Sequence, residues 1–253
     1  MEPLLFALRY FTNLPLPRES RWDEGTAASS LVWLPFTGLV VGSCLSALAH
    51  LFIQSDFPQY PALRAVLIMA MELWIGGGLF LEGFSKSTDV LFFRPGTIRR
   101  LEVIGERYLG AKGVMGLIFV TFAKMALLAE LSMGEDFLYM LVFYPCWSRW
   151  AFGFASSNYS LAQDEGMAFY FKIGQRPVYI MLSSCFMLAI LLLMPRYFYI
   201  AALASFLTVM YCCSLIQTRL GGHTEETYGL ASVAAELSLL FGFGISSTVF
   251  RYL

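Results

Sequence analysis

Seven apolar runs occupy most of this chain: about 34–53, 63–81, 113–133, 136–155, 177–194, 197–217 and 229–250. Each lies near the roughly 20 residues that a helix needs to cross a bilayer. No soluble core could hide so much apolar surface, because 58% of the 253 residues are hydrophobic and 14% are charged. Soluble domains carry about 25% charged residues. The expected fold is therefore an all-α polytopic membrane protein with about seven transmembrane helices, forming one domain over residues 1–253. No internal repeat or low-complexity linker divides it. A net charge of −1 offers nothing to nucleic acid. Cys44, Cys146, Cys185, Cys212 and Cys213 fall inside apolar runs without metal-ligand spacing, so they read as buried thiols rather than a disulfide framework.

The first residues carry no basic n-region and no small-residue cleavage site, which argues against a removable signal peptide. "PLLFALRYFTNLPLP" is too short to span a bilayer. Leu4, Leu8 and Phe11 share one helical face with Arg9 off it, which predicts an N-terminal interfacial helix broken at Pro15 and Pro17. Inside 82–112, "PGTIRRLEVIGERYLG" predicts a short amphipathic helix capped by Thr97. Ile98, Leu101 and Ile104 or Leu109 form its apolar side, and Arg99, Arg100 and Glu106 face water.

Basic residues sort the loops by side. Segment 82–112 carries Lys86, Arg94, Arg99, Arg100, Arg107 and Lys112; segment 156–176 adds Lys172 and Arg176; segment 218–228 adds Arg219. The alternate loops hold Asp56, Glu135, Asp136 and Arg196, with Arg64 near a span end. Because Lys and Arg gather on the cytoplasmic side, the N-terminus and the three polar loops are expected in the cytoplasm and the C-terminus outside. The chain is thus expected in the cytoplasmic (inner) membrane, with its polar face toward the cytoplasm.

Three of these stretches combine glycine with carboxylates. They are "GGGLFLEGFSKSTDVLF" (Gly76–Phe92, with Glu82 and Asp89), "GERYLGAKG" (105–113) and "TRLGGHTEETYGLASVAAEL" (218–237, with Glu225, Glu226 and Glu236). Glycine lets backbone approach a phosphate closely. Carboxylates hold Mg²⁺, which bridges to phosphates, and Arg107, Lys112 and Arg219 neutralise phosphate charge. Together they point to phosphoryl transfer at a membrane face. Any one alone is weak, since loop carboxylates beside basic residues are usually just solvated. Glu236, two turns into the last run, and Lys124, in mid-span, are costly in a bilayer and call for partners. Glu72 lies in the second run, where a structural hydrogen bond between helices is as good a reading as a functional one. His223 is a lone loop histidine, more often neither base nor ligand. No Walker A motif, nucleophile elbow or HExxH is present.

At these stretches the chain resembles the cobalamin synthase family, the adenosylcobinamide-GDP ribazoletransferases. The resemblance runs through "YFTNLPLP", "LVWLPFTGLVVG", "GGLFLEGFSKSTDVLF", "GERYLGAKG", "FAKMALLAEL", "CWSRW" with "DEG", and "LGGHTEETYG", in the family's order and spacing over nearly the whole length. It implies attack by a ribose hydroxyl of α-ribazole, or its 5′-phosphate, on adenosylcobinamide-GDP. GMP is released and Mg²⁺ assists. The site residues it implies are Glu82, Lys86, Asp89 and Glu226 in catalysis. Arg107, Lys112, Arg219, Gly221 and Gly222 would contact phosphate, and Glu82, Asp89, Glu226 and Glu236 would converge on the metal. A homo-oligomer is allowed.

The chain departs from the family pattern at named positions. Glu82 stands for the family's first aspartate, Lys86 for its second, and Val90 for the glycine after Asp89. Phe80 replaces a histidine, Tyr108 an arginine, and Val233 a glutamate, while Glu226 replaces an aspartate. Lys86 cannot ligate Mg²⁺ while protonated. It acts either as a fixed charge in place of one cation or as the mark of a site that has lapsed. The runner-up is a catalytically impaired or substrate-shifted homologue serving as a corrinoid-binding scaffold or transporter, which would need a through-going polar cavity.

Overall fold

The computed structural model describes residues 2–16, 24–55, 60–92, 96–105, 108–134 and 136–252. Helix α1 (Glu2–Phe11) is followed by α2 (Glu24–Ser30), a 3-10 turn and α3 (Leu34–Gln54). Next, α4 (Pro61–Gly76) and α5 (Leu79–Leu91) form a pair bent by 93°. Then come α6 (Thr97–Ile104), α7 (Ala111–Leu131) and α8 (Phe137–Asn158). A second bent pair, at 97°, is α9 (Gly166–Ile173) with α10 (Pro177–Leu192). Helices α11 (Tyr197–Leu220) and α12 (Glu225–Tyr252) close the chain. Among the described residues there is no strand, only a bridge between Leu161 and His223.

The chain is thus all-helical. Among the described residues, four stretches are long and apolar enough to cross a membrane: Gly25–Gln54, Ala111–Leu131, Tyr197–Leu220 and Glu225–Ser246. The number rises to six if each bent pair makes one span. The expected straight run over 63–81 is corrected: it breaks at Gly77 and Gly78, both left-handed, with φ of 65° and 74°. No right-handed helix continues through two such residues. The break exposes carbonyls at the end of α4, and the N-terminal segment meets them. Asn13 donates from its backbone to Ile75 O at 2.6 Å and from its side chain to Trp74 O at 3.2 Å.

Helix α1 forms where expected, but Phe6, Ala7 and Phe11 are buried in the protein core. Its aromatic rings interlock with Phe171, Phe152 and Phe80. Pro17 and Glu106 lie outside the described residues. Helix α6 also forms, but its cap is Gly96 and Thr97 is its first helical residue. Its apolar face docks on protein at Ile104, which joins Val90, Ile216, Leu220 and Leu230, while Ile98 is 79% exposed.

Helix α8 is the hub, buried on most of its circumference. It carries Pro145, Ser148 and Arg149, and a charge such as that of Arg149 belongs inside a bundle rather than against lipid. Proline removes the donor that would satisfy the Leu141 carbonyl. Gly42 of α3 packs there: a side-chain carbon on it would meet Val142 O at 2.6 Å and Leu141 O at 2.7 Å. A carbon on Gly38, one turn earlier, would meet Cys146 Cα and Pro145 O at 2.4 Å. This is the small-xxx-small packing of membrane helices, where close backbone approach supplies the dispersion contacts.

One end of the bundle gathers the N-terminal helix and the three basic segments. Tyr10 reaches Glu225; Arg100 donates to Arg219 O at 3.0 Å; His223 N donates to Ser160 O at 2.8 Å. At the other end Tyr197 donates to Asp136, beside the 132–136 turn. Glu135 lies outside the described residues.

Candidate active site

Helices α5 and α12 cross at two glycines, Gly83 and Gly229. A side-chain carbon on Gly83 would meet Glu226 O at 2.7 Å, and one on Gly229 would meet the Gly83 Cα at 3.0 Å. With no side chains between them, the helices bring their next turns together. A chamber of about 210 Å³ opens there, and its polar lining comes from Glu82, Lys86, Glu225 and Glu226. The side chains are sorted by their partners. Lys86 Nζ pairs with Glu82 Oε1 at 2.9 Å, one helical turn away. The Tyr10 hydroxyl donates to Glu225 Oε1, so α1 reaches into the site. Next to that carboxylate and deep in the aromatic cluster, the Tyr10 hydroxyl is held well above its ordinary range, chiefly by burial. It stays a donor. Glu226 has no protein partner among the described residues, and it faces the chamber.

Beneath the chamber lies a buried charge cluster. Lys124 Nζ contacts Glu72 Oε1 at 2.7 Å and Glu236 Oε2 at 2.6 Å. Tyr144 donates to Glu72 Oε2 at 2.9 Å, and its ring lies 4.8 Å from Lys124 Nζ. The intramembrane lysine thus finds two carboxylates, as the cost of a lone buried ammonium requires. Arg149 completes the group. The cluster lines a small cavity of about 40 Å³ that shares Leu79 and Phe80 with the chamber above.

Of the expected site residues, Glu82, Lys86 and Glu226 meet at the chamber. Asp89 is drawn elsewhere: it accepts the Gly110 N–H at 2.9 Å and the Gly113 N–H at 3.1 Å. These are orphan donors at the start of α7, whose cap residue has no side chain, so a carboxylate from α5 serves as the cap. Glu236 is claimed by Lys124. It lies ten residues, or about 15 Å of helix rise, beyond Glu226. The expected four-carboxylate metal cage therefore does not assemble, and among the described residues no three His, Cys, Asp or Glu side chains are placed to hold one ion.

Lys112 donates to Phe92 O and lines a separate apolar groove of about 800 Å³. Arg219 is exposed at the end of α11. Gly221 is the left-handed C-cap of that helix, with φ 79°. A side-chain carbon on Gly222 would lie 2.4 Å from Leu161 and Ala162 backbone atoms. Both glycines serve the turn itself. Arg107 lies outside the described residues. His223 is structural: its Nε2 donates to Cys213 O at 3.1 Å, Nδ1 faces Thr227 Oγ1 at 3.1 Å, and the ring stacks on Tyr228. Burial pushes its pKa from 6.5 down to about 4. Tyr10 was not expected at the site, and Glu225 was named among the carboxylates of its stretch but given no role. Their signals were faint: a tyrosine beside an interfacial face, and the first of two adjacent glutamates.

A family model described as Cobalamin-5-phosphate synthase matches residues 3–244. A protein named adenosylcobinamide-GDP ribazoletransferase from Escherichia coli O17:K52:H18 is 30% identical over 249 residues, covering 95% of this chain and 98% of the relative. One of the same name from Desulfitobacterium hafniense strain Y51 is 29% identical over 253 residues, covering 96% of each. A third, from Shigella boydii serotype 4, is 30% identical over 250 residues, with 95% and 98% covered. No solved structure gives a significant match.

Proposed function

The chain belongs to the cobalamin-5-phosphate synthase family, and from that premise we propose that it is an adenosylcobinamide-GDP ribazoletransferase whose active site is the chamber between α5 and α12. A hydroxyl of α-ribazole, or of its 5′-phosphate, attacks the phosphorus bearing adenosylcobinamide, and GMP leaves. One observation carries this reading: residues from the first and third motif stretches, more than 140 positions apart, line one polar chamber with α1 closing its side.

The chamber's 210 Å³ is small beside the ~300–1,000 Å³ of sites that enclose whole ligands. It therefore holds the diphosphate, with the corrin ring lying outside. Glu82 and Glu226 are the residues that would hold Mg²⁺. An ion that takes one or two carboxylates and completes its shell from substrate phosphates fits that donor set. Bound there, Mg²⁺ supplies charge neutralisation on the diphosphate. Lys86 adds a fixed positive charge, and its pairing with Glu82 keeps the ammonium at the chamber wall. Tyr10 fixes Glu225 and leaves Glu226 free to face substrate.

The gathering of the basic segments at one end supports the cytoplasmic placement of this site and a seven-span topology in which α8 also crosses. A span enclosed by other helices needs no lipid-facing surface, and 22 residues rise about 33 Å. The transport reading is not favoured by the grooves of about 800 and 390 Å³ among the described residues, which are lined mainly by apolar side chains. The test is to incubate membranes containing the protein with adenosylcobinamide-GDP, α-ribazole and Mg²⁺. GMP and cobalamin should appear in equal amounts. Absence of both rejects the assignment.

A further inference from the structure

Arg149 is a buried charged group whose donors are largely unused. It sits on α8 with 2% of its surface exposed. Of its donors only Nη1 has an acceptor, the Pro145 carbonyl of its own helix at a long 3.3 Å. Its Nε is buried without any partner. Buried polar groups are nearly always hydrogen-bonded, and an ionised one left unpaired is costly. Charge balance accounts for a cation here, since Glu72 and Glu236 outnumber Lys124. It does not account for the geometry. A guanidinium placed only to balance carboxylates would grip them with its fork, yet Lys124 and Tyr144 hold three of those four oxygens and no hydrogen bond from Arg149 reaches either carboxylate.

The surroundings show where the unused donors point. Arg149 lines the 40 Å³ cavity under the helix break, together with Gly76, Gly78, Leu79 and Phe80. A side-chain carbon on Gly76 would lie 3.7 Å from Nη2, so glycine leaves that nitrogen uncovered. Leu79 and Phe80 also line the chamber that holds Glu82 and Glu226. The Phe80 ring covers the guanidinium at 5.2 Å, a cation–π contact that shelters the charge from the chamber. One aromatic side chain therefore separates a buried, underused arginine from a polar chamber whose only lining cation among the described residues is Lys86.

We propose that Arg149 is a phosphate-binding residue of this site, donating to an oxygen of a substrate diphosphate when the Phe80 ring turns aside. The 40 Å³ cavity has room for one or two water-sized groups, enough for a phosphate oxygen but not a whole phosphate. The rest of the group stays in the chamber, where Lys86 and any metal held by Glu82 and Glu226 share its charge. This rests on the chamber being the diphosphate site, as proposed above.

Inorganic pyrophosphate is the probe, titrated against the purified full-length protein in detergent, with melting temperature recorded without ligand. Arg149→Lys keeps the positive charge but loses the fork. It should melt near the wild type and bind pyrophosphate about ten- to a hundredfold more weakly, the loss typical of one charge-assisted hydrogen bond. Phe80→Leu leaves the arginine in place and removes its cover, so it should bind pyrophosphate several-fold more tightly. If Arg149→Lys is folded and binds as well as the wild type, Arg149 is a charge-balancing residue and the inference fails alone. If Arg149→Lys does not fold, Phe80→Leu decides, and unchanged affinity there overturns the inference. A wild type that binds no pyrophosphate overturns both the inference and the chamber assignment.

Discussion

Lys86 occupies a position where a carboxylate would strengthen a cation site, and under the proposed function it takes a task there. Its ammonium lies 2.9 Å from Glu82 at the chamber wall, so it offsets part of the charge a diphosphate brings. Lys86→Ala should lower the rate of GMP release by about 10²–10³-fold, the usual cost of losing one preorganised electrostatic contact. Lys86→Asp should also be impaired and should need more Mg²⁺. An unchanged rate in Lys86→Ala would make the lysine a bystander. His223 makes the opposite case, a polar residue whose work is entirely in folding. Its pKa falls from 6.5 to about 4 because burial disfavours the imidazolium. The unfolded chain therefore binds the proton first, and stability drains away as pH drops from 6.5 to 4, then levels off. Over that window the wild type should lose about 3 kcal/mol relative to His223→Gln, which can still donate to Cys213 O. A stability difference between the two that stays flat with pH would show that the ring titrates normally.

At the scale of the helix, glycine sets the architecture. Gly38 and Gly42 let α3 lie against the α8 backbone around Pro145, and Gly83 with Gly229 let α5 cross α12 at the chamber. Gly38→Val would drive a branched side chain into the Cys146 backbone, which cannot retreat as a flexible side chain could. Overpacking of this kind costs roughly 1–3 kcal/mol or more. The variant should melt well below the wild type, whereas Gly96→Ala, with open space around it and an extended backbone, should not. Equal melting temperatures for Gly38→Val and the wild type would contradict the α3–α8 packing. The helix break at Gly77–Gly78 was present in the sequence as three consecutive glycines, but apolar residues on both sides disguised it as the end of a straight span. The apolar run over 136–155 does mark α8, but hydropathy does not show that its neighbours enclose most of its circumference.

On the scale of the whole molecule, the charge of the loops and the convergence of three of them describe the same end. With native cysteines replaced, Thr97→Cys and Met133→Cys flank α7, and both native side chains are exposed. A membrane-impermeant thiol reagent should label them from opposite faces, and labelling from one face would remove α7 as a span. The all-helical class, most of the apolar runs and the presence of Glu82 and Glu226 at one chamber were legible in the sequence, because hydropathy and motif order carry them. Lys124 announced its need for partners, and Glu72 and Glu236 supply them. The capping task of Asp89 and the placement of Tyr10 were not legible, because each depends on which helix ends meet in space. The central claim is that Glu82 and Glu226 act as one unit on one diphosphate. A double-mutant cycle on GMP release tests it directly. Glu82→Gln and Glu226→Gln should each cut the rate roughly a hundredfold, and the double variant should fall little further, since residues acting together are not additive. Full activity in either single variant, or losses that simply multiply, would contradict a shared site.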